Sequence, residues 1–198
     1  MFQPENQPFT CTNYNATTEK RGKNDHVPAG DIKIKMIVSS LVLDAFGADY
    51  RPFLYSKANA RPVTRDKDEP EQPDLMPQPE DGLTALAHPM LEPLRLRDKF
   101  PGYHMAIDTD LGLSDSLEFD EVTLSAFVFK ALDGGSLELT FNARVFPTPE
   151  MSGQLHFLSR EEGRISLRPP APAPQQVDIE DSQGDTLDQQ DAADRAAA

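Results

Sequence analysis

Two lysines and a basic-aromatic run are the positions of this chain best suited to binding chemistry. Lys33 and Lys35 alternate with apolar residues and therefore share one face of a predicted strand. Single-stranded nucleic acid is bound by positive grooves that follow the phosphates and by aromatic rings that stack on bases. The sequence thus predicts a single-stranded DNA interface at Lys33, Lys35, Tyr50, Arg51, Tyr55 and Lys57. The alternative is an ordinary solvated face, with Phe53 and one tyrosine in the core.

Catalytic motifs do not occur in the chain, so we predict a protein that is not an enzyme and that uses no cofactor. Cys11 has no neighbouring base, and Ser39-Ser40 lies within an apolar stretch. The chain has no GxSxG, GxGxxG or GxxxxGK[ST] motif for a nucleophilic serine or a nucleotide phosphate.

Metal binding is weakly indicated. Asp108-Thr-Asp110 opens like a calcium loop, but Gly112 and Leu113 stand where an oxygen ligand and then a glycine are needed. The four histidines, at 26, 88, 104 and 156, are not spaced as metal ligands with one another or with the cysteine. We predict a solvated turn and no metal site.

The charge of the chain is unevenly distributed. The 198 residues carry a net charge of −14 and are 38% hydrophobic. Residues 1–64 hold 8 basic and 6 acidic residues, residues 65–170 hold 10 and 20, and residues 171–198 hold 1 and 7. The basic front segment keeps nucleic-acid binding open, although a uniformly acidic protein would be repelled by phosphates.

Apolar/polar alternation is the strongest structural signal. From Ser136 to Phe146 the apolar residues point one way and the polar residues the other, which is typical of a strand with one buried face. Asp133-Gly134-Gly135 predicts a hairpin turn that joins this strand to a central strand over 121–132. Further strands are predicted over 31–46, within 47–57, over 102–108, and as a hairpin of 154–159 with 164–168. Over 31–46 we predict one long strand with a bend or bulge at Ser39-Ser40, and the alternative is a strand that runs into a short helix. Spaced leucines over 83–96 allow a short helical turn.

These elements predict an all-β, mainly antiparallel fold of six or seven strands, either a small β-sandwich or a partly open OB-like barrel. Residues 1–30 are predicted to be a flexible arm and residues 31–170 a single β domain. An acidic, Pro-rich insertion falls at about 65–82, and residues 171–198 are predicted to be a disordered acidic tail. The tail either competes with DNA for the basic face, recruits partners, or only keeps the chain in solution.

The composition favours a cytoplasmic protein. The residues after Met1 lack the apolar core of a signal peptide, and no apolar run approaches the ~20 residues that span a membrane. The lone cysteine favours a reducing compartment.

Five segments carry a resemblance to a known group. They are His88–Leu94, Phe100–Tyr103, Gly112-Leu113, Gly134–Phe141 and Ile165–Pro170. Over about 88–170 the chain resembles uncharacterised small early-region, DNA-metabolism proteins of tailed bacteriophages. The resemblance implies a phage protein that acts in the cytoplasm of the bacterial host.

Together these observations favour a non-enzymatic phage accessory protein that binds single-stranded DNA or a DNA-processing complex. One alternative is an acidic protein that binds and inhibits a host protein, for example a defence nuclease, because acidity can imitate the charge of DNA. Another is a virion structural component. Edge strands of a small open sheet also make a homodimer an expected alternative.

Overall fold

A computed structural model describes residues 1–23, 25–57, 81–108 and 116–171. Nine strands are present in these ranges: β1 (Gln7–Arg21), β2 (Asp25–Ser39), β3 (Tyr55–Lys57), β4 (Leu83–Leu86), β5 (Leu94–Leu96), β6 (Phe100–Asp108), β7 (Leu117–Leu132), β8 (Ser136–Val145) and β9 (Glu162–Arg168). The helices are a 3-10 helix (Ser40–Ala45), α1 (Tyr50–Leu54) and α2 (Pro149–Leu158).

Six of the strands close into a barrel. Their order is β7-β6-β9-β1-β2-β8, and β8 pairs back to β7, with every pairing antiparallel. β5 is an additional strand on β7, while β3 and β4 form a separate two-stranded sheet. The predicted all-β, mainly antiparallel fold is therefore confirmed, as an OB-like barrel that is closed rather than a sandwich.

The barrel interior is filled by side chains that alternate along each strand. The inward residues of β8 are fully buried and match the predicted apolar face: Leu137, Leu139, Phe141, Ala143 and Val145. The ring of Phe127 on β7 stacks on that of Phe141 with centroids 5.2 Å apart, and Phe2 meets both rings edge-on. Such packing leaves the outer surface as the place for recognition.

The longest barrel strand, β7, pairs with two different strands along one of its edges. Its first half pairs with β6 and its second half with β5, while β8 runs along its other side. Ala126 has a φ of 54°, and the register with β8 shifts between Ser125 and Val128. This bulge bends the strand so that both halves keep an inward apolar face.

The prediction of a flexible arm over 1–30 is wrong for the residues in β1 and the start of β2. Phe9, Cys11 and Tyr14 are buried in the barrel core, so the β domain begins before residue 31. A bulge between Cys11 and Asn13 shifts the register and breaks the alternation that would have revealed the strand. The pairing of β1 with β9 ends at Thr10, and beyond it no other strand of the described residues pairs with β1 on that side, which accounts for the polar composition of the hairpin.

The prediction of a hairpin formed by 154–159 and 164–168 is also wrong. Residues 149–158 form α2, whose Thr148 Oγ1 accepts a hydrogen bond from the Met151 amide, with Pro149 in the first turn. Leu155 and Leu158 of this helix are fully buried. β9 instead pairs with β1 and β6.

The outcomes for the remaining segments follow from the element boundaries. The prediction of one long bent strand over 31–46 is wrong and its alternative is correct, because β2 ends at Ser39 and the 3-10 helix follows. The segment 83–96 contributes the short strands β4 and β5, and between them lies a single turn in which the Leu91 amide donates to the His88 carbonyl at 3.0 Å, as the allowance for a short turn predicts. The strands predicted at 102–108, 121–132 and 136–146 are confirmed.

The acidic insertion lies outside the described residues except for Asp81 and Gly82, and so does the acidic tail after Ala171. Within the described ranges, no helix is both long and apolar enough to cross a membrane.

Candidate nucleic-acid interface

Lys33 and Lys35 lie on the outer face of β2, as the alternation predicts. Each stands between polar residues of the neighbouring strands. Asn13 and Asn142 flank Lys33, while Thr10 and Thr140 flank Lys35. The result is a patch of amide, hydroxyl and ammonium groups on β1, β2 and β8, which we call the β2 face.

The two lysines differ in their electrostatic surroundings. Lys35 Nζ lies 2.8 Å from Glu138 Oε2, and the side chain is 41% exposed. Lys33 is exposed and has no carboxylate within ion-pairing distance among the described residues. Of the two lysines, Lys33 is therefore the one whose ammonium group is available to bind a phosphate.

Arg144, which no sequence motif singles out, extends the β2 face on β8. Its Nε donates to Glu19 at 2.9 Å, and its Nη1 lies 3.1 Å from both carboxylate oxygens of Asp31. The hydrogen bond to Glu19, together with the nearby Asp31, raises the pKa of Arg144. Alternation placed Arg144 on the polar side of β8, but the strand order that brings Glu19 and Asp31 beside it could not be obtained from one sequence.

Tyr55 belongs to the core and not to an interface. It is 1% exposed, and its hydroxyl donates to the carbonyl oxygen of Ser136 at the start of β8. Burial raises the pKa of Tyr55 to about 12. Tyr55 thus anchors the β3–β4 sheet to the β7–β8 hairpin, and its assignment to the nucleic-acid interface needs correction because the ring cannot reach a base.

Arg51 is also withdrawn from solvent. The residue is 8% exposed, and its guanidinium pairs with Asp44 at 2.8 Å and with Asp81. These two carboxylates compensate its charge, so the predicted phosphate contact at Arg51 is not available in this arrangement.

The remaining two predicted residues lie apart from the β2 face. Tyr50 is half-buried, and its ring centroid lies 6.4 Å from that of Phe129. Lys57 is exposed at the end of β3, in the two-stranded sheet. The six predicted residues therefore do not form one surface, and only Lys33 and Lys35 share a face.

Other reactive groups are scattered or buried. Among the described residues, no three His, Cys, Asp or Glu side chains are placed to hold a metal ion. Most of the calcium-like stretch, residues 109–115, lies outside the described ranges. Cys11 is fully buried, and this burial raises the pKa of its thiol, which disfavours the reactive thiolate.

Comparisons with protein-family models, with curated proteins and with solved structures return no match to this chain.

Proposed function

We propose that this protein is a non-enzymatic accessory protein of phage DNA metabolism that binds single-stranded DNA on its β2 face. The observation that carries the proposal is the exposed Lys33, which lacks a carboxylate partner among the described residues. It stands between Asn13 and Asn142 on the outside of a barrel whose interior is filled. The resemblance to early-region phage proteins supports a role in the host cytoplasm.

The chemistry of the face suits a phosphate backbone better than a base. An ammonium neutralises a phosphate, and neighbouring amide and hydroxyl groups donate hydrogen bonds to its oxygens. Tyr55 is in the core and Tyr50 packs on Phe129, so neither supplies a stacking platform. We therefore expect binding that is weak and tolerant of sequence.

The ion pairs on the face limit its charge. Lys35 is held by Glu138, and Arg144 is held by Glu19 and Asp31. A strand of DNA must compete with these carboxylates for every cation except Lys33. The salt dependence of binding is therefore expected to correspond to few released counterions, at about 0.7 per neutralised phosphate of a single strand.

The test is fluorescence anisotropy of a labelled single-stranded oligonucleotide, titrated with the full chain at low and at physiological salt. We expect Lys33→Ala to weaken binding about 3- to 10-fold at low salt and to reduce the slope of log K against log salt by about 0.7. Lys99→Ala is the matched control, because it removes the same charge from an exposed position between β5 and β6. Equal effects of the two substitutions, or an unchanged affinity for Lys33→Ala, would overturn the proposal.

A second candidate function is the binding of a host protein, which a separate surface favours. Phe53, Met90 and Leu91 are 47%, 96% and 42% exposed, and the ring of Phe53 lies 5.2 Å from that of His88. Exposed apolar side chains on an acidic protein are typical of a protein-binding site. Recovery of one stoichiometric host protein from bacterial lysate by the wild-type chain, and its loss in Phe53→Ser with Met90→Ser, would favour this function over DNA binding.

A further inference from the structure

β1 and β2 separate at one end of the barrel. Their pairing runs from Arg21–Asp25 to Thr10–Lys35 and then stops. Beyond that point Gln7–Phe9 stays with β9, while Met36–Ser39 stays with β8. A groove of about 370 Å³ opens in the gap, lined by Pro8, Phe9, Thr10, Lys35, Met36, Ile37, Glu162, Gly163 and Arg164. We call it the β1–β2 groove.

The β2 wall of the groove presents main-chain groups of Ile37. The Lys33 carbonyl accepts a hydrogen bond from Thr12 Oγ1, so the main-chain groups of Lys33 point toward β1. Alternate residues of a strand direct their N–H and C=O to the same neighbour. Ile37, four residues on, therefore points its N–H and C=O toward the β1 side, past the last β1–β2 pair. Its side chain is 49% exposed on the outer surface.

The β1 wall of the groove presents a main-chain carbonyl group and no main-chain N–H donor. The Cys11 amide donates to the Glu161 carbonyl at 3.0 Å, and the Arg160 amide donates to the Cys11 carbonyl at 2.7 Å. Cys11 thus faces β9, and by alternation Pro8 faces β2 across the groove. Proline has no N–H, so this position leaves no unpaired donor in the gap. The groove is thus a gap at one end of the closed barrel, where the edges of β1 and β2 no longer pair with each other.

We propose that the β1–β2 groove binds an extended segment as an inserted strand, and that the segment is Val177–Glu180 of the same chain. Residues 172–198 lie outside the described ranges, so the segment is identified from its sequence. Val177-Asp178-Ile179-Glu180 alternates β-branched apolar residues with acids, which is the pattern of a strand with one buried face. Addition of an extended segment to an open sheet edge is a general mode of recognition.

The two faces of the inserted segment match their surroundings. Val177 and Ile179 would point toward Phe9 and Met36, the apolar residues at the floor of the groove. Asp178 and Glu180 would point outward, beside Lys35 and the exposed Arg164. Opposite charges on neighbouring strands stabilise a sheet by roughly 0.2–1 kcal/mol for each pair.

The tail is long enough to reach the groove. β9 carries the chain from Glu162 and Arg164, which line the groove, to Arg168 at the other end of the strand. The return along β9 from Arg168 to Arg164 is about 13 Å at ~3.3 Å per residue. From Ala171, where the described chain ends, the eight residues to Ile179 span up to about 27 Å. The segment can therefore return antiparallel to β9 and lie antiparallel to β2.

Hydrogen exchange of the Ile37 amide in the full chain tests this inference without DNA. We expect this amide to be protected, and Ile179→Pro to raise its exchange rate at least about 10-fold, because proline cannot pair in the inserted strand. Leu187→Pro is the control, since it makes the same change farther along the tail. Equal exchange of Ile37 in wild type and Ile179→Pro would overturn the proposal.

A disulfide trap gives an independent outcome. Ile37→Cys combined with Asp178→Cys places two outward-facing residues on neighbouring strands, and Cys11 is buried and does not compete. We expect rapid oxidation to a monomeric cross-linked chain, and at least 10-fold slower oxidation for Ile37→Cys with Asp188→Cys. Equal rates for the two pairs, or cross-links only between chains, would overturn docking of the tail within its own chain.

Discussion

Arg51 Nη1 lies 2.8 Å from Asp44 Oδ2, and the arginine side chain is only 9% exposed. Asp81, just before β4, meets the other terminal nitrogen of the same guanidinium. The contact ties α1 to the 3-10 helix and to the start of the β3–β4 sheet. A residue that the sequence predicted to bind phosphate is thus a structural cross-link between three segments.

Arg51→Ala is therefore expected to reduce stability and not DNA affinity. Loss of hydrogen bonds to charged groups costs about 1.5–3 kcal/mol, and the half-exposed carboxylates keep the cost toward the lower end. Urea unfolding measures the change in the free energy of unfolding, with the exposed Arg95→Ala as control. Weakened oligonucleotide binding at unchanged stability would restore Arg51 to the interface.

Tyr55 is expected to make stability fall at high pH. Burial raises its pKa from 10 to about 12, so the folded protein holds the phenol proton more tightly than the unfolded chain does. This contribution to the free energy of unfolding is complete below pH 10 and is lost as the pH rises toward about 12. Urea unfolding over that range measures the loss.

Tyr55→Phe provides the control for the pH dependence. It removes the hydrogen bond to the Ser136 carbonyl at a cost of about 1 kcal/mol at neutral pH. The variant should then lose less stability than wild type between pH 10 and about 12, with Tyr103 accounting for the remainder because burial raises its pKa as well. Parallel curves for the two proteins would show that Tyr55 does not cause the dependence.

Gly30→Ala is expected to destabilise the barrel. A Cβ at this position would lie 2.5 Å from Cε2 of Tyr14, whose hydroxyl is 2.9 Å from the Ser152 hydroxyl of α2. The tyrosine ring would have to leave its contact with the helix, at a cost of about 1–3 kcal/mol. Thermal unfolding measures the change in stability, and Gly153→Ala is the control. A Cβ at Gly153 meets nothing within 4 Å, so alanine there should raise stability by about 0.5–1 kcal/mol.

The strands that sequence analysis identified are those with an uninterrupted period of two. β8 is the clearest, because Leu137 to Val145 face the core at every second position. β1 escaped because the bulge after Cys11 separates its buried residues by two and then by three positions. The bulge is defined by the pairing of β1 with β2, so the sequence of β1 alone does not reveal it.

α2 was missed although its start signals are present. Thr148, Pro149 and Glu150 are the residues expected at a helix N-terminus, but Leu155 and Phe157 after them also fit the alternation of a strand. The residues of the candidate nucleic-acid interface were only partly predictable from the sequence, because burial depends on residues that are distant in sequence. Alternation placed Lys33 and Lys35 on a solvated face, whereas the burial of Arg51 depends on Asp81, which lies thirty positions away in sequence.

Cys11 is expected to be unreactive in the native protein. Its thiol is fully buried in β1, and this burial raises its pKa. A thiol reagent at mildly alkaline pH should label it only after unfolding in guanidinium chloride, whereas the exposed thiol of Ile37→Cys should react within the mixing time. Rapid native-state labelling of Cys11 in wild type would support the flexible arm that the sequence predicted.

Glu138→Gln is expected to strengthen binding of single-stranded DNA. The substitution frees Lys35 from its carboxylate partner at 2.8 Å and removes a negative charge from the β2 face. A surface ion pair is worth about 0.2–1 kcal/mol, which corresponds to a gain in affinity of roughly 1.5- to 5-fold at low salt. Glu118→Gln makes the same change in net charge at an exposed position of β7. The gain in affinity should be absent in Glu118→Gln. Adding Lys35→Ala to Glu138→Gln should cancel the gain. An equal gain in Glu118→Gln would assign the effect to net charge and remove Lys35 from the DNA contact.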